Sequence, residues 1–383
     1  MTKNKIGLLL GVASLSVTLA ACGSSSSSSN TTSSSPSTPA TTAATTSAAT
    51  TAPTAATPSA TGTITAAGST FAAPVYTEWG SLLKGITLNY QAVGSGAGIT
   101  AMEGKTVEFG ASDPPLKAAD VATFAKVGPV QQLPMFFGAI TLSYNLPGVA
   151  AGLKLDGTTI ANIFLGKITK WNDSAIAALN PGVNLPSTPI TVIHRSDSSG
   201  TTQGFTNFLS AYSPTWAGQV GSGKDVNWPT GTGAKGNPGV AGAIQATTGS
   251  IGYVEQAYAL QHKFTYASVK NAAGDYVAPT LASTSAAAPS SIPANLSFST
   301  DPMDSNPAAY PIVSQTFLIV WKDMCKAGIP QTTAKAIGAF LSYGLGAGQS
   351  ILSEADYAAL PASIDAKDKA ALATLTCNGA PLT

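Results

Sequence analysis

The chain has 383 residues, of which 10% are charged, and its net charge is only +1. So few and so balanced charges leave no electrostatic footprint for nucleic acid. With 44% hydrophobic residues and many Gly and Pro, the roughly 320 residues that follow the N-terminal segment are enough to build two domains.

The first residues read as an address rather than as fold. Lys3 and Lys5 precede an apolar run from Ile6 to Ala21, the pattern of a secretory signal. The run ends Leu19-Ala20-Ala21-Cys22. This resembles the lipobox of bacterial lipoproteins, in which the cysteine is lipidated and becomes the mature N-terminus. A plain signal peptide with an incidental cysteine is the alternative. Gly23 to Thr61 is almost entirely Ser, Thr, Ala and Pro, without charge or aromatic side chains. Such a segment cannot bury enough apolar surface to offset its ordering entropy, so residues 23–61 are expected to be a disordered tether. No transmembrane span is expected after Cys22.

Beyond the tether, β-branched and aromatic runs alternate with helical patterns. Strands are predicted at Gly62–Ala66, Thr87–Ala92, Phe109–Ala111, Ala139–Tyr144, Thr191–His194, Ile251–Val254 and Ile312–Trp321. Helices are predicted at Pro74–Lys84, Gly98–Glu103, Ala118–Val127, Gly157–Leu165, Asp173–Leu179, Thr201–Ala211, Gly236–Thr247, Thr332–Leu341 and Asp365–Leu372. The alternation argues for an α/β architecture with mainly parallel sheets. Ala278–Pro293 is low in complexity and is expected to be a surface loop remote from binding. The five tryptophans are read as packing residues.

Three glycine- and hydroxyl-rich turns each follow a predicted strand and lead into a helix. They are Gly68-Ser69-Thr70-Phe71, Gly94-Ser95-Gly96-Ala97-Gly98 and Ser196-Asp197-Ser198-Ser199-Gly200-Thr201, the last with Arg195 just before it. The first N–H groups of a helix have no internal partner and carry partial positive charge. Such ends bind anions, and glycine lets the anion approach the backbone. In open α/β sheets this is also where ligands sit. Three such turns and one arginine point to an oxyanion held mostly by hydrogen bonds.

Other chemistries are poorly served. His194 and His262 are the only histidines, and no Gly-x-Ser-x-Gly elbow follows a strand, which leaves a serine hydrolase without its base. The three cysteines, Cys22, Cys325 and Cys377, are too scattered for zinc. No cofactor, no metal and no enzymatic activity are expected. Outside the cytoplasm Cys325 and Cys377 are expected to form a disulfide, two buried thiols being the alternative.

Several stretches in order resemble the PstS family, the phosphate-binding proteins of bacterial high-affinity phosphate ABC transporters. They include Ala67–Tyr76, Asn89–Gly96, Phe109–Asp113, Leu165–Asn172, Arg195–Thr201, Gly236-Asn237 and Gly249–Glu255. The resemblance runs from about Thr65 to the C-terminus. It implies a two-lobed periplasmic-binding-protein fold (type II) closing over its ligand by a two-strand hinge. It places phosphate contacts on Thr70, Phe71, Ser95, Asp113, Arg195, Ser199, Gly200 and Thr201. One lobe would comprise 62–138 and 308–383, the other 139–307, with crossover strands at Leu133–Tyr144 and Tyr310–Val320. The implied partners are inorganic phosphate and an ABC permease with its ATPase. The protein would be a monomer, held by lipid on the outer face of the cytoplasmic membrane.

The residue chemistry fits these assignments. Arg195 offers a planar fork of donors to a tetrahedral oxyanion. The hydroxyls and the Phe71 and Gly200 N–H groups supply more donors. Asp197 is expected to orient the Arg195 guanidinium, to cap a helix, or both. Asp113 is unusual, since a carboxylate repels an anion unless the anion carries a proton. Phosphate carries one near neutral pH and sulfate does not, so Asp113 is expected to separate them. A turn aspartate before Pro114-Pro115 is its plainer reading. His194 stands where some relatives carry a second arginine, and a strand-end residue without a role is the simplest account of it. Arsenate, also protonated, is the alternative ligand, with a sensor lacking transport as another reading.

Overall fold

The computed structural model describes residues 60–382. The leader, Cys22 and nearly all of the 23–61 segment lie outside the described residues.

Chain order places β1 at Gly62–Gly68, α1 at Ala73–Leu82, β2 at Ile86–Ala92, α2 at Ser95–Glu103 and β3 at Phe109–Ser112. A 16-residue strand, β4, follows at Val130–Asn145. Then come β5 at Thr191–Arg195, α3 at Gly200–Tyr212, β6 at Thr232–Ala234, α4 at Gly236–Ala246 and β7 at Ser250–Glu255. The long return strand β8 spans Val313–Trp321, and helix α5 spans Gln331–Gly344.

The sheet order is β2-β1-β3-β8-β4-β7-β5-β6. The expected parallel pairing holds on both flanks, where β1 lies parallel to β2 and β3, and β5 to β6 and β7. The centre differs. There β8 runs antiparallel to β3 and β4, and β4 antiparallel to β7. A chain that leaves one group of strands and later returns to it must cross in both directions, and this makes the centre of the sheet mixed.

β4 serves two groups of strands with its two ends. Val130–Ala139 pairs with β8, and Ile140–Asn145 pairs with β7. The change of partner falls at Ala139/Ile140, where Ile140 N–H donates to Ile312 O at 2.8 Å. Nearly every residue of β4 and all of β8 are buried. A strand covered on both faces tends to read as an apolar run, and the polar residues that interrupt these two, among them Gln315 and Thr316, find hydrogen-bond partners.

The core follows the two groups. Tyr76, Trp79, Phe109, Phe136 and Phe340 pack edge to face around α1 and α5. Beneath β7, Phe205 meets Phe164 edge to face and stacks on Tyr253. Trp79, Trp171, Trp216 and Trp321 are buried, and Trp228 stacks on His194 at 4.7 Å between centroids. That contact accounts for His194 as a packing residue at a strand end, with its ring held against Arg195 O.

The Ala278–Pro293 tract is more ordered than expected. It contains the helix Leu281–Ala286, started by a capping box between Thr280 and Ser283, with Thr284 fully buried. Small hydroxylated residues make poor periodic patterns but good helix starts, which hides such a helix in composition.

Cys325 and Cys377 are joined by a disulfide with Cα atoms 4.7 Å apart. Alongside it Met324 N–H donates to Thr376 O, so the bridge ties the C-terminal segment to the turn after β8. The bridged residues are 52 apart in sequence. In the chain-entropy account a loop of that length contributes about 4 kcal/mol, commonly less when measured. Replacing both cysteines by serine should lower stability by about 2–4 kcal/mol in a denaturant titration. An unchanged midpoint would show that the segment is held by packing alone.

Candidate functional site

The helices α1, α2, α3 and α4 each begin just after a strand of the sheet, and the residues at their N-termini meet in one buried place. Ser95, the first residue of α2, accepts at Oγ from Asp113 N–H and Gly200 N–H, both at 3.2 Å. Gly200 opens α3, so this bond joins two helix starts that lie 105 residues apart. Asn237, in the first turn of α4, donates from both its backbone and its amide nitrogen to Thr70 Oγ1, at 3.1 and 3.0 Å. Thr70 stands on the turn before α1. Gly96 N–H donates to Ser198 O at 3.0 Å.

Each residue expected at the site is buried here. Thr70 and Thr201 meet through Asn237, whose Nδ2 also donates to Thr201 Oγ1 at 3.3 Å. Arg195 Nη1 donates to the same Thr201 oxygen at 3.4 Å. Ser199 caps α3, its Oγ accepting from Thr202 N–H at 3.0 Å, which leaves its own proton to donate. Phe71 N–H is engaged by Ser69 Oγ at 3.0 Å, and Phe71 O accepts from the Tyr357 hydroxyl.

Arg195 comes from the end of β5, and its side chain is almost fully buried. Asp197 holds it with two bonds, from Nε to Oδ1 at 2.7 Å and from Nη2 to Oδ2. Asp197 also accepts from Gly236 N–H at 2.9 Å. Asp197 thus pairs with the guanidinium but is not an N-cap: Ser199 holds that place on α3, and Asp197 instead receives the first N–H of α4 from a distant turn. Burial alone would raise the Asp197 carboxyl, but the Arg195 guanidinium outweighs it and holds the group below its ordinary range. The pair cancels the one cationic charge that the site contains.

Asp113 follows β3 and is 1% exposed. Thr316 Oγ1, from the middle of β8, donates to its Oδ1 at 3.0 Å. Ser95 Oγ lies 3.4 Å from Oδ2. Gln315 Nε2 donates to its carbonyl at 2.7 Å. Burial pushes the carboxyl up to about 6, against the lowering effect of the Ser69 and Thr316 hydroxyls, Arg195 and Ser95. The Phe71 and Gly200 N–H groups, expected as donors to a ligand, are engaged here by the Ser69 and Ser95 hydroxyls, so the site combines hydroxyl donors, a neutralised guanidinium and one carboxylate acceptor. Such a set suits an oxyanion that bears a proton.

Several participants carried little signal in the sequence. Asn237 opens a helix after a strand, the same pattern as the three turns, and belongs to the Gly236-Asn237 stretch. Its function as a bridge depends on where α4 packs. Thr316 ends a short polar run, Ser314-Gln315-Thr316, in a buried strand, and its role becomes visible only once β8 lies beside β3. Tyr258 donates to Thr70 O at 2.9 Å and fixes the turn from the opposite side.

Two outcomes are expected of this geometry. A Cβ on Gly200 would stand 2.4 Å from Asp113 Oδ2 and 2.5 Å from Ser95 Oγ, and neither can yield because both are buried. Gly200→Ala should therefore weaken anion binding by roughly tenfold or more, from overpacking of about 1–3 kcal/mol; unchanged affinity in an equilibrium titration would show that α3 shifts freely. The second concerns pH. Asp113 is raised to about 6, Glu255 to about 8 and Asp368 to about 9, each by burial first. These groups bind protons more tightly folded than unfolded, so their contribution is full at acid pH and lost as pH rises through the raised values. The ligand-free protein should melt at a higher temperature near about pH 5 than near about pH 8; the opposite order would mean that these carboxyls are solvated.

The chain is similar to several known proteins. The profile of the PBP superfamily domain matches residues 34–346. The phosphate-binding protein PstS of Pasteurella multocida is 42% identical over 317 residues, covering 80% of this chain and 89% of that protein. PstS 3 of Mycobacterium tuberculosis is 40% identical over 312 residues, covering 78% and 83%. Among solved structures, the phosphate-bound periplasmic phosphate-binding protein PfluDING superposes with a TM-score of 0.63 at 24% identity, over 81% of this chain and 93% of that one. The phosphate-binding protein of Stenotrophomonas maltophilia gives 0.62 at 22% identity, over 84% and 96%. Those two likenesses establish a shared fold. With PstS proteins at this identity over most of both chains, the protein belongs to the PstS family of phosphate-binding proteins, within the PBP superfamily.

Proposed function

We propose that this protein captures inorganic phosphate between two lobes and delivers it to an ABC permease. It acts as a binding protein and not as an enzyme. The observation that carries the reading is Asp113, a single buried acceptor in a ring of donors. Its carboxylate can take the proton of a P–OH group. Against sulfate the same carboxylate would find like charge and no donor, at a cost of several kcal/mol. Sites with such a donor–acceptor match reject an analogue by roughly 10⁴–10⁵. The PstS names of the relatives favour phosphate over arsenate.

The proposed lobes are 62–138 with 308–383, and 139–307. β4 and β8 would be the hinge, since β4 changes partner at Ala139/Ile140. Thr70, Phe71, Ser95 and Asp113 belong to the first lobe, and Arg195 and Ser199–Thr201 to the second. A ligand contacted from both sides favours closure by the difference in its affinity for the two states. The permease, with its ATPase, would take the closed monomer. Cys22 would anchor the protein by lipid on the outer face of the cytoplasmic membrane, with residues 23–61 as the tether.

Calorimetric titration of the phosphate-stripped protein tests the reading. Phosphate should bind one to one, and sulfate should give no heat. Asp113→Asn, which keeps the shape but offers a donor, should lose most of that discrimination. Discrimination should also erode as pH falls through about 6, because a protonated Asp113 can donate to sulfate. Equal binding of both anions at neutral pH would overturn the role given to Asp113.

A further inference from the structure

Asn237 is 0% exposed and touches both threonines of the site without belonging to the expected ligand set. Its orientation is fixed by its neighbours. Oδ1 accepts from Glu255 N–H at 3.1 Å, and a backbone N–H can only donate. The amide nitrogen therefore faces the threonines, and its two hydrogens match the two acceptors, Thr70 Oγ1 at 3.0 Å and Thr201 Oγ1 at 3.3 Å.

We propose that Asn237 is a positioning residue that turns the Thr70 and Thr201 hydroxyls into obligatory donors toward the ligand, an inference that rests on the phosphate reading above. A hydroxyl has two lone pairs and one proton. Thr70 Oγ1 receives two N–H groups, from Asn237 N and Nδ2. Thr201 Oγ1 also receives two, from Asn237 Nδ2 and Arg195 Nη1. With the lone pairs engaged, each proton must point elsewhere, and the ligand oxygens are what remain to accept it. One amide thus sets the polarity of two donors, and Asp113 stands as the acceptor among them. The same bonds run from the turn after β1 to the start of α4, so the group that aims the donors also ties the two groups of strands together.

Substitution and a double-mutant comparison test this, with inorganic phosphate as the probe and affinity and dissociation rate as readouts. Asn237→Ala should weaken binding by roughly tenfold, the loss expected for hydrogen bonds that organise a charged ligand. Most of that loss should lie in a faster dissociation rate. Asn237→Asp, nearly the same shape, places an acceptor where the donor was and draws the threonine protons away from phosphate, so its loss should be larger, roughly a hundredfold. The loss caused by Asn237→Ala should shrink when Thr70→Val or Thr201→Val is already present, because the group it acts through is gone. Ligand-free melting temperatures separate folding damage from binding, and Asn237→Ser replaces Asn237→Ala in the same comparison if the latter does not fold. Variants within about twofold of the unaltered protein, or equal losses in all backgrounds, would overturn the proposal. Failure of the unaltered protein to bind phosphate would instead overturn the function reading, and this inference with it.

Discussion

A buried guanidinium needs a carboxylate beside it, and much of this site follows from how the half-buried Asp197 meets that need. Arg195 is held by two bonds from a residue on its own turn. Breaking such a pair leaves an uncompensated buried charge, at about 3–5 kcal/mol. Asp197 also reaches Gly236 N–H, which couples the guanidinium to the start of α4. The arginine becomes a rigid fork rather than a free cation. An anion arriving there is met by oriented dipoles more than by net charge, so its binding depends on geometry and resists screening by salt.

A nearly neutral site can admit a carboxylate without prohibitive repulsion. Asp113 rests among hydroxyls from three elements, namely Ser69 on the first turn, Ser95 on α2 and Thr316 on β8. Burial favours its protonated form and these donors favour the ionised form. The balance near 6 lets the group ionise at neutral pH. The cost of burying it accounts for the density of polar contacts around it, because an unsatisfied group at that depth would destabilise the fold.

The backbone arranges these groups through one long strand. β4 pairs with β8 over its first part and with β7 over its second, so four helix N-termini from two groups of strands face one another. Small residues allow the approach. The contact between Gly200 N–H and Ser95 Oγ, and that between Gly96 N–H and Ser198 O, leave no room for a side chain at either glycine.

The sequence by itself determined the local pieces. Apolar runs such as Ile251–Val254 bury on both faces and read as strands, and Gly-Ser-Thr turns read as helix starts because small hydroxylated residues satisfy orphan N–H groups. The spacing of Arg195 and Asp197 on one turn was enough to expect their pairing. What only the tertiary structure decided is long-range. The antiparallel centre of the sheet depends on where the returning chain inserts, and no local pattern encodes that. Thr316 and Asn237 are ordinary polar residues until β8 lies against β3 and α4 points at α1. Their contacts span 203 and 167 residues. Local periodicity records which face of an element is apolar, whereas the partner of a buried hydroxyl is fixed only when distant elements pack.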